Sequence, residues 1–291
     1  EQDFSSPVIY TVTSEDGIVT TKYTVSVSGQ IRDFGFDEWE TIKSSTSGST
    51  EQYDVPKGLY GTSNPGIMTI NEMFGSNLPE LFSYTVSPVE GQSGKAAKLQ
   101  TVYTYMFLNG MDFNALLGGL VPYVTAGSLF TGIFKTDMNN TLNSTKFGVP
   151  FVGEPATFTG YYKYTPGTTY YNNKNEVVAD KTDECSIYAV LYEELLDEEN
   201  NNIPLNGDYN DPDLYIGSSK RIVMKAVLED GTAKSDWTKF SIPFKLLEGK
   251  SYDATKKYYL AIVCSSSAEG DYFMGAPGST LFIDSFTVTP Q

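Results

Sequence analysis

The amino-acid sequence predicts an all-β protein, a β-sandwich of the jelly-roll type. The 291 residues include 21 Tyr and 17 Phe, which favour strands, and few runs of helix-favouring residues. Ten short segments, separated by Gly, Pro, Asn, Asp and Ser clusters, show strand patterns without a strand–helix alternation. The predicted strands are 31–36, 80–87, 96–105, 127–134, 156–165, 185–194, 218–229, 237–246, 257–265 and 279–289.

Helices are predicted only at 71–74 and 113–120. Residues 115–134 carry no charge and reach the length of a membrane span. Glycines and a proline interrupt this run, so it predicts a short apolar helix or loop followed by a strand. We therefore predict no transmembrane segment in this chain.

Two alternating segments, 7–13 and 22–27, flank the turn 14–17 and predict a β-hairpin at the start of the chain. An isolated hairpin is marginally stable, so it would pack on another structure or end a preceding domain. The hairpin resembles the closing hairpin of small Ig-like modules in surface proteins of Bacteroidetes-type bacteria. The predicted domains are a hairpin remnant of such a module at 1–29 and a jelly-roll domain at 30–291.

The composition excludes several classes of function. Lys and Arg total 20 against 36 Asp and Glu, a net charge of −16, which argues against nucleic acid and anionic membranes as partners. The chain has no His, which excludes Ser-His-Asp and Cys-His nucleophilic sites. Catalysis would use carboxylates, tyrosines or lysines, and a metal would be oxygen-bound, such as Ca²⁺. Cys185 and Cys264 could form one disulfide or remain free thiols.

One aspartate lies in the apolar last strand. Strict alternation places Leu281 and Ile283 on one face and Phe282, Asp284 and Phe286 on the other. A buried carboxylate needs a partner. Because the first and last strands of a jelly roll are commonly neighbours, Asp37 and Asp284 are predicted to hold a structural Ca²⁺. The alternative is that backbone N–H groups or a lysine satisfy Asp284.

Sugars bind to aromatic platforms with a few convergent polar groups. The predicted ligand-binding residues are Trp39, Tyr60, Asn64, Tyr162, Lys163, Trp237, Asp271 and Tyr272. The alternative is that these rings belong to the ordinary core. Asp271, in the loop 269–273, is also the candidate catalytic residue of a glycosidase, although no second carboxylate is singled out by its spacing. The acidic stretch 197–213 is interpreted as a solvated loop, with a calcium site through Asp208, Asn210, Asp211 and Asp213 as the weaker alternative.

A resemblance to a known protein family extends over roughly residues 30–291 and rests on short sequence motifs that occur in a fixed order. They are FDEW (36–39), PKGLYGTSNPG (56–66), GKAAKLQT (94–101), AGSLFTG (126–132), GVPF (148–151), FTGYYKY (158–164), DECSIYAVLY (183–192), Trp237, SSS (265–267), GDYF (270–273) and GSTLFID (278–284). Together they resemble the putative carbohydrate metabolism domain family of Bacteroidetes surface proteins. The chain departs from the family at Leu59, where an aromatic residue would strengthen a sugar site, and at Ser285, where a second acidic residue often follows the aspartate.

The resemblance implies a galactose-binding-like jelly roll on an exported lipoprotein. Since the sequence begins at Glu1 and shows no signal peptide, we expect a processed product of a lipid-anchored precursor, at the outer-membrane surface or in the periplasm of a Gram-negative bacterium. The predicted function is glycan binding during polysaccharide capture, by a monomer. The alternatives are a glycoside hydrolase with paired carboxylates and a surface adhesion protein.

Overall fold

The computed structural model describes residues 8–17, 19–25 and 32–291. In these ranges the helices are α1 (Asn64–Phe74) and α2 (Phe113–Leu116). The strands are β1 (Val8–Thr13), β2 (Thr20–Val25), β3 (Arg32–Phe34), β4 (Trp39–Lys43), β5 (Gln52–Pro56), β6 (Tyr60–Thr62), β7 (Val86–Glu90), β8 (Lys95–Gln100), β9 (Val102–Tyr103), β10 (Phe107–Leu108), β11 (Met111–Asp112), β12 (Val124–Thr125), β13 (Ser128–Phe134), β14 (Thr145–Phe147), β15 (Val149–Phe151), β16 (Pro155–Thr165), β17 (Ser186–Glu193), β18 (Ile222–Val227), β19 (Lys234–Pro243), β20 (Lys245–Leu246), β21 (Tyr258–Ser265) and β22 (Thr280–Pro290).

Two large sheets form the sandwich. The front sheet has the order β14-β13-β21-β17-β18-β20, with β15 beside β21 and β6 beside β13. The back sheet has the order β19-β16-β22-β8-β7, with β3 beside β22. The sandwich has eight principal strands, which can be renumbered 1 to 8 in chain order: β8, β13, β16, β17, β18, β19, β21 and β22. With these numbers, the front sheet has the order 2-7-4-5 and the back sheet has the order 6-3-8-1. All these pairs are antiparallel, which is the double Greek key of a jelly roll and confirms the predicted fold class.

The main core lies between the two sheets. It combines inward side chains of the back sheet, such as Phe158 and Ile283, with those of the front sheet, such as Ile187 and Ile262. Cys185 and Cys264 are free and buried in this core, and burial raises the pKa of Cys185 to about 12. The thiols therefore act as small apolar side chains.

A β-bulge corrects the alternation predicted for the last strand. Between the pairs Thr159–Thr287 and Tyr161–Asp284, β22 uses one residue more than β16, and Ser285 takes a φ of +54°. The bulge reverses the pattern, so Phe286 lies in the core together with Leu281 and Ile283. Asp284 is consequently not on the same face as Phe286, as strict alternation predicted.

A second core covers the outer face of the front sheet. Phe130, Val190 and Val263 of this sheet pack against Leu205 and Ile216 of the segment 194–220. The interpretation of 197–213 as a solvated loop was therefore wrong for its second half. Leu205 and Ile216 are apolar anchors, and they hold the segment on the sheet.

The helix α1 is longer than predicted, and none of the helices in the described ranges is long and apolar enough to cross a membrane. The predicted N-terminal hairpin is confirmed for its described residues, in which β1 pairs with β2 and Tyr10 lies opposite Tyr23. The boundary predicted between residues 29 and 30 lies outside the described residues. The derivation of the hairpin from an Ig-like module stays a prediction.

Candidate functional site

A groove with a volume of about 260 Å³ lies on the outer face of the front sheet. Its floor is formed by two rows of side chains that cross the neighbouring strands β13, β21 and β17. The register of these strands places serines in one row and larger side chains in the next. The rows are Ser128, Ser265 and Ser186, and Phe130, Val263 and Tyr188.

Connecting segments form the walls of the groove. One wall combines α1 with residues of the apolar run that follows α2, and it includes Ile70, Phe74 and Val121, which pack together. The other walls come from residues within 136–145, 207–216 and 267–273. The groove thus lies where loops carried by a rigid sheet converge, a common position for a binding site.

Asp271 is the carboxylate of the groove. It lies in a short 3₁₀ turn, Gly270–Tyr272, and its Oδ2 accepts a hydrogen bond of 2.5 Å from the Tyr215 hydroxyl. Desolvation by the surrounding atoms raises the pKa of Asp271, while the hydrogen bond from Tyr215 opposes this shift. The side chain itself remains open to solvent in the groove, so a ligand can reach it.

Tyrosines surround Asp271. The ring of Tyr272 stacks on that of Tyr209, with centroids 5.0 Å apart and planes at 25°. Tyr188, on the floor, has a raised pKa, because it is desolvated and because Asp271 is near. Both Tyr215 and Tyr188 line the groove, so aromatic rings and one carboxylate meet at this end.

The buried carboxylate of Asp183 fixes the loop that carries Asp271. Its Oδ2 accepts hydrogen bonds from the hydroxyls of Ser267 (2.6 Å) and Ser279 (2.7 Å) and from the Ala276 amide (2.8 Å). Its Oδ1 accepts the Glu184 amide at 2.9 Å. Burial raises the pKa of Asp183, and these hydrogen bonds oppose the shift. Asp183 was not predicted as a site residue. The sequence indicated it only as an acidic residue just before a buried strand.

The loop also approaches the floor of the groove closely. A Cβ atom placed on Gly270 would lie 2.5 Å from the Cβ of Ala126 and 3.0 Å from the Ser265 hydroxyl. Only glycine permits this distance, so the main chain beside Asp271 rests directly on the serine row.

Four of the predicted ligand-binding residues have structural roles. Tyr162 is 2% exposed and packs in the main core, and its hydroxyl donates to the Asp230 carbonyl. Asn64 is fully buried and pairs with the backbone N–H and C=O of Val86. Trp39 and Tyr60 pack against the core and donate to the carbonyls of Phe36 and Phe34. Tyr162 and Asn64 are thus closed to a ligand, because both are buried with their polar groups paired. Trp39 and Tyr60 are half-buried, and a role for their rings in binding stays a prediction.

The remaining predicted residues lie on two different surfaces. Asp271 lines the groove, and Tyr272 is its exposed neighbour. Lys163 lies on the outer face of the back sheet, 4.8 Å from the centroid of the Trp237 ring and 4.9 Å from that of Phe282. This pair is therefore on the opposite side of the sandwich from the groove.

Asp37 and Asp284 both contact the turn between β7 and β8. Asp284 Oδ2 accepts the amides of Gln92 (2.7 Å) and Ser93 (3.1 Å), and Asp37 Oδ1 accepts that of Lys95 at 3.0 Å. Among the residues that the structure describes, no group of three or more His, Cys, Asp or Glu side chains could hold a metal ion. The two carboxylates thus join the β3–β4 connection and the last strand to one turn through main-chain N–H groups, and calcium binding there stays a prediction.

The fold defines a jelly-roll domain with a groove on the outer face of its front sheet. Residues 35–289 match the family described as "putative carbohydrate metabolism domain", so the chain belongs to this family, as its motifs predicted. A putative glycoside hydrolase from Bacteroides thetaiotaomicron VPI-5482 has 32% sequence identity and a TM-score of 0.69, over 100% of this chain and 80% of that one. A putative glycoside hydrolase from Bacteroides vulgatus ATCC 8482 has 26% identity and a TM-score of 0.65, over 89% of this chain and 98% of that one. No curated protein matches the chain.

Proposed function

We propose that this chain binds a glycan in the groove of the front sheet and does so without cleaving it. The observation that carries the proposal is the set of polar groups in the groove. Tyr188, Tyr215 and a series of Ser and Thr hydroxyls offer ring faces and hydrogen-bonding groups, which is the combination a sugar requires. Among the described residues that line the groove, Asp271 is the single carboxylate, whereas most glycoside hydrolases need a pair.

One hydroxyl beside the groove has no hydrogen-bond partner within the described part of the protein. In the described part of the chain, Oγ1 of Thr145 is the buried side-chain polar atom without a hydrogen-bond partner. A buried polar group without a partner costs free energy, and native proteins usually satisfy such groups with water or a ligand. Thr145 lines the groove, but this oxygen is itself enclosed by protein atoms, so it is a cost to folding and not a contact offered to a ligand.

Thr145→Val tests this cost, because valine keeps the shape and removes the hydroxyl. The free energy of unfolding should be unchanged or slightly higher, since an unsatisfied group is lost. The affinity for the glycan should be unchanged, since Oγ1 is not open to the groove. Chemical denaturation and isothermal titration measure the two quantities, with Thr50→Val at an exposed position outside the groove lining as the control variant. A lower free energy of unfolding in Thr145→Val would contradict this account of Oγ1.

Hydrolysis is the second candidate, and it is favoured by the raised pKa of Asp271, a property of general acids. The names of the two similar Bacteroides proteins point to the same chemistry for those proteins. Asp271→Asn separates the two functions. If the chain only binds, the wild type releases no reducing sugar from a glycan that it binds, and the variant loses about tenfold in affinity. Sugar release by the wild type that disappears in Asp271→Asn would instead establish hydrolysis.

The cellular setting is part of the proposal. Display on the surface of a Gram-negative cell would bring the groove into contact with polysaccharide, and the family membership supports a role in carbohydrate use. We propose that the protein acts there as a lipid-anchored monomer. Its digestion by a protease added to intact cells would support this location, and protection until the cells are broken would contradict it.

A further inference from the structure

The chemistry of the groove walls points to a particular class of saccharide, an inference that rests on the proposed function. Among the described lining residues, the polar side chains are only Ser, Thr, Tyr and Asp271. None of these lining residues is Asn, Gln, Lys or Arg. Amides and cations make many of the directed hydrogen bonds to sugars, so a groove without them holds an unsubstituted sugar weakly.

Several of the lining hydroxyls are already engaged within the protein. The hydroxyl of Thr69 donates to the Pro65 carbonyl, that of Ser265 to the Ser267 carbonyl, and that of Ser267 to Asp183. The carboxylate of Asp271 and the two tyrosines of the lining, Tyr215 and Tyr188, lie together at one end of the groove. The polar part of the ligand therefore belongs at this end of the groove.

The rest of the groove is apolar. The wall of the groove contains Ile70, Phe74 and Val121. The ring of Phe134 lies against α1, since a Cβ atom placed on Gly66 would be 3.7 Å from that ring. Two methionines that line the groove are exposed, Met73 by 49% and Met138 by 42%. Methionine is flexible and polarizable, and it adapts to apolar ligands of varied shape. An apolar surface of this kind gains free energy when an apolar group covers it.

The electrostatics restrict the ligand further. The groove carries one carboxylate and, among its described lining residues, no cation, and the chain has a net charge of −16. A uronate or a sulfated sugar would be repelled. We infer that the groove binds a neutral saccharide that carries an apolar substituent, such as an acyl ester or an alkyl or aryl aglycone. The sugar lies at Asp271 and Tyr215, and the substituent lies along α1 and the methionines.

Matched glycosides test this inference. Methyl and octyl β-glycosides of glucose, galactose, mannose and xylose, kept below micelle formation, are titrated calorimetrically into the wild-type chain. For at least one sugar, the octyl glycoside should bind roughly tenfold tighter than the methyl glycoside or better, since two or three buried methylenes suffice for that gain. Met73→Gln should reduce the ratio of the octyl to the methyl affinity by roughly threefold or more, since it replaces part of the apolar surface that the octyl chain covers. Lys57→Gln, at an exposed position outside the groove lining, is the control.

The other outcomes are distinct. Equal affinity for the methyl and octyl glycosides of every sugar that binds would overturn the inference and leave glycan binding intact. If the octyl glycosides of all four sugars bind equally and octanol binds as tightly as any of them, the result would support an apolar site and contradict glycan recognition. No binding of any glycoside would overturn both proposals. Tighter binding of galacturonic acid oligomers than of neutral ones would contradict the selection of a neutral ligand.

Discussion

Replacing Asp183 with alanine is expected to lower the free energy of unfolding by about 2–5 kcal/mol, because leaving one buried donor unpaired costs about 1–3 kcal/mol. The hydroxyls of Ser267 and Ser279 can rotate toward other acceptors. The amides of Ala276 and Glu184 cannot, since the backbone fixes their direction. The loss should therefore arise mainly from the buried N–H of Ala276, with a smaller share from the partly buried N–H of Glu184.

Urea denaturation of Asp183→Ala and Asp183→Asn measures this effect. The carbonyl oxygen of asparagine can take the position of Oδ2 and accept the same three hydrogen bonds. Its NH₂ group then takes the position of Oδ1, where it meets the Glu184 amide in an unfavourable donor–donor contact. It should thus cost less than alanine. Glu229→Ala, at an exposed position, is the control. An alanine variant within about 0.5 kcal/mol of the wild type would show that Asp183 does not organise this loop.

Asp183 shows which features of the groove region can be predicted from the sequence and which cannot. Its position before the strand Ser186–Glu193 is visible in the sequence. Its three donors to Oδ2 come from residues 84 to 96 positions away along the chain, and only the closed sandwich brings them together. A sequence pattern reports local periodicity, so a carboxylate with distant partners cannot be distinguished from a solvated one.

The fold class could be predicted because jelly-roll strands leave a local record of apolar residues and turn residues. The bulge at Ser285 could not be predicted, since one extra residue in a strand does not change its composition. For the same reason, Tyr162 and Asn64 had the composition of a sugar site but proved to be buried. Asp271 was identified as a candidate from its glycine-rich loop, and it does line the groove. Its partner Tyr215 escaped notice, because it lies between the stretch 197–213, interpreted as a solvated loop, and the predicted strand 218–229.

Ser186→Trp is expected to reduce glycan binding by roughly 100-fold or more, a loss of about 2.7 kcal/mol in binding free energy. Ser186 lies on the floor of the groove in β17, with Ser265 opposite it on β21. An indole at this position would occupy the space between the floor and the walls. The strand should accept it, because aromatic residues favour β-structure and the position is open to the groove.

The control for this variant makes the same substitution on the other face of the sandwich. Ser241 is exposed on β19 of the back sheet and pairs with Thr159. Ser241→Trp therefore adds an identical side chain far from the groove. Circular dichroism and melting temperature should show that both variants fold like the wild type.

The central claim is that the front-sheet groove is where this chain binds a glycan. The most direct measurement is calorimetric titration of the wild type, Ser186→Trp and Ser241→Trp with a glycan selected from a broad panel. We expect the wild type and Ser241→Trp to bind with equal affinity and Ser186→Trp to show no measurable binding. Equal binding by folded Ser186→Trp, or a loss confined to Ser241→Trp, would contradict the claim and point to the Lys163 and Trp237 surface of the back sheet instead.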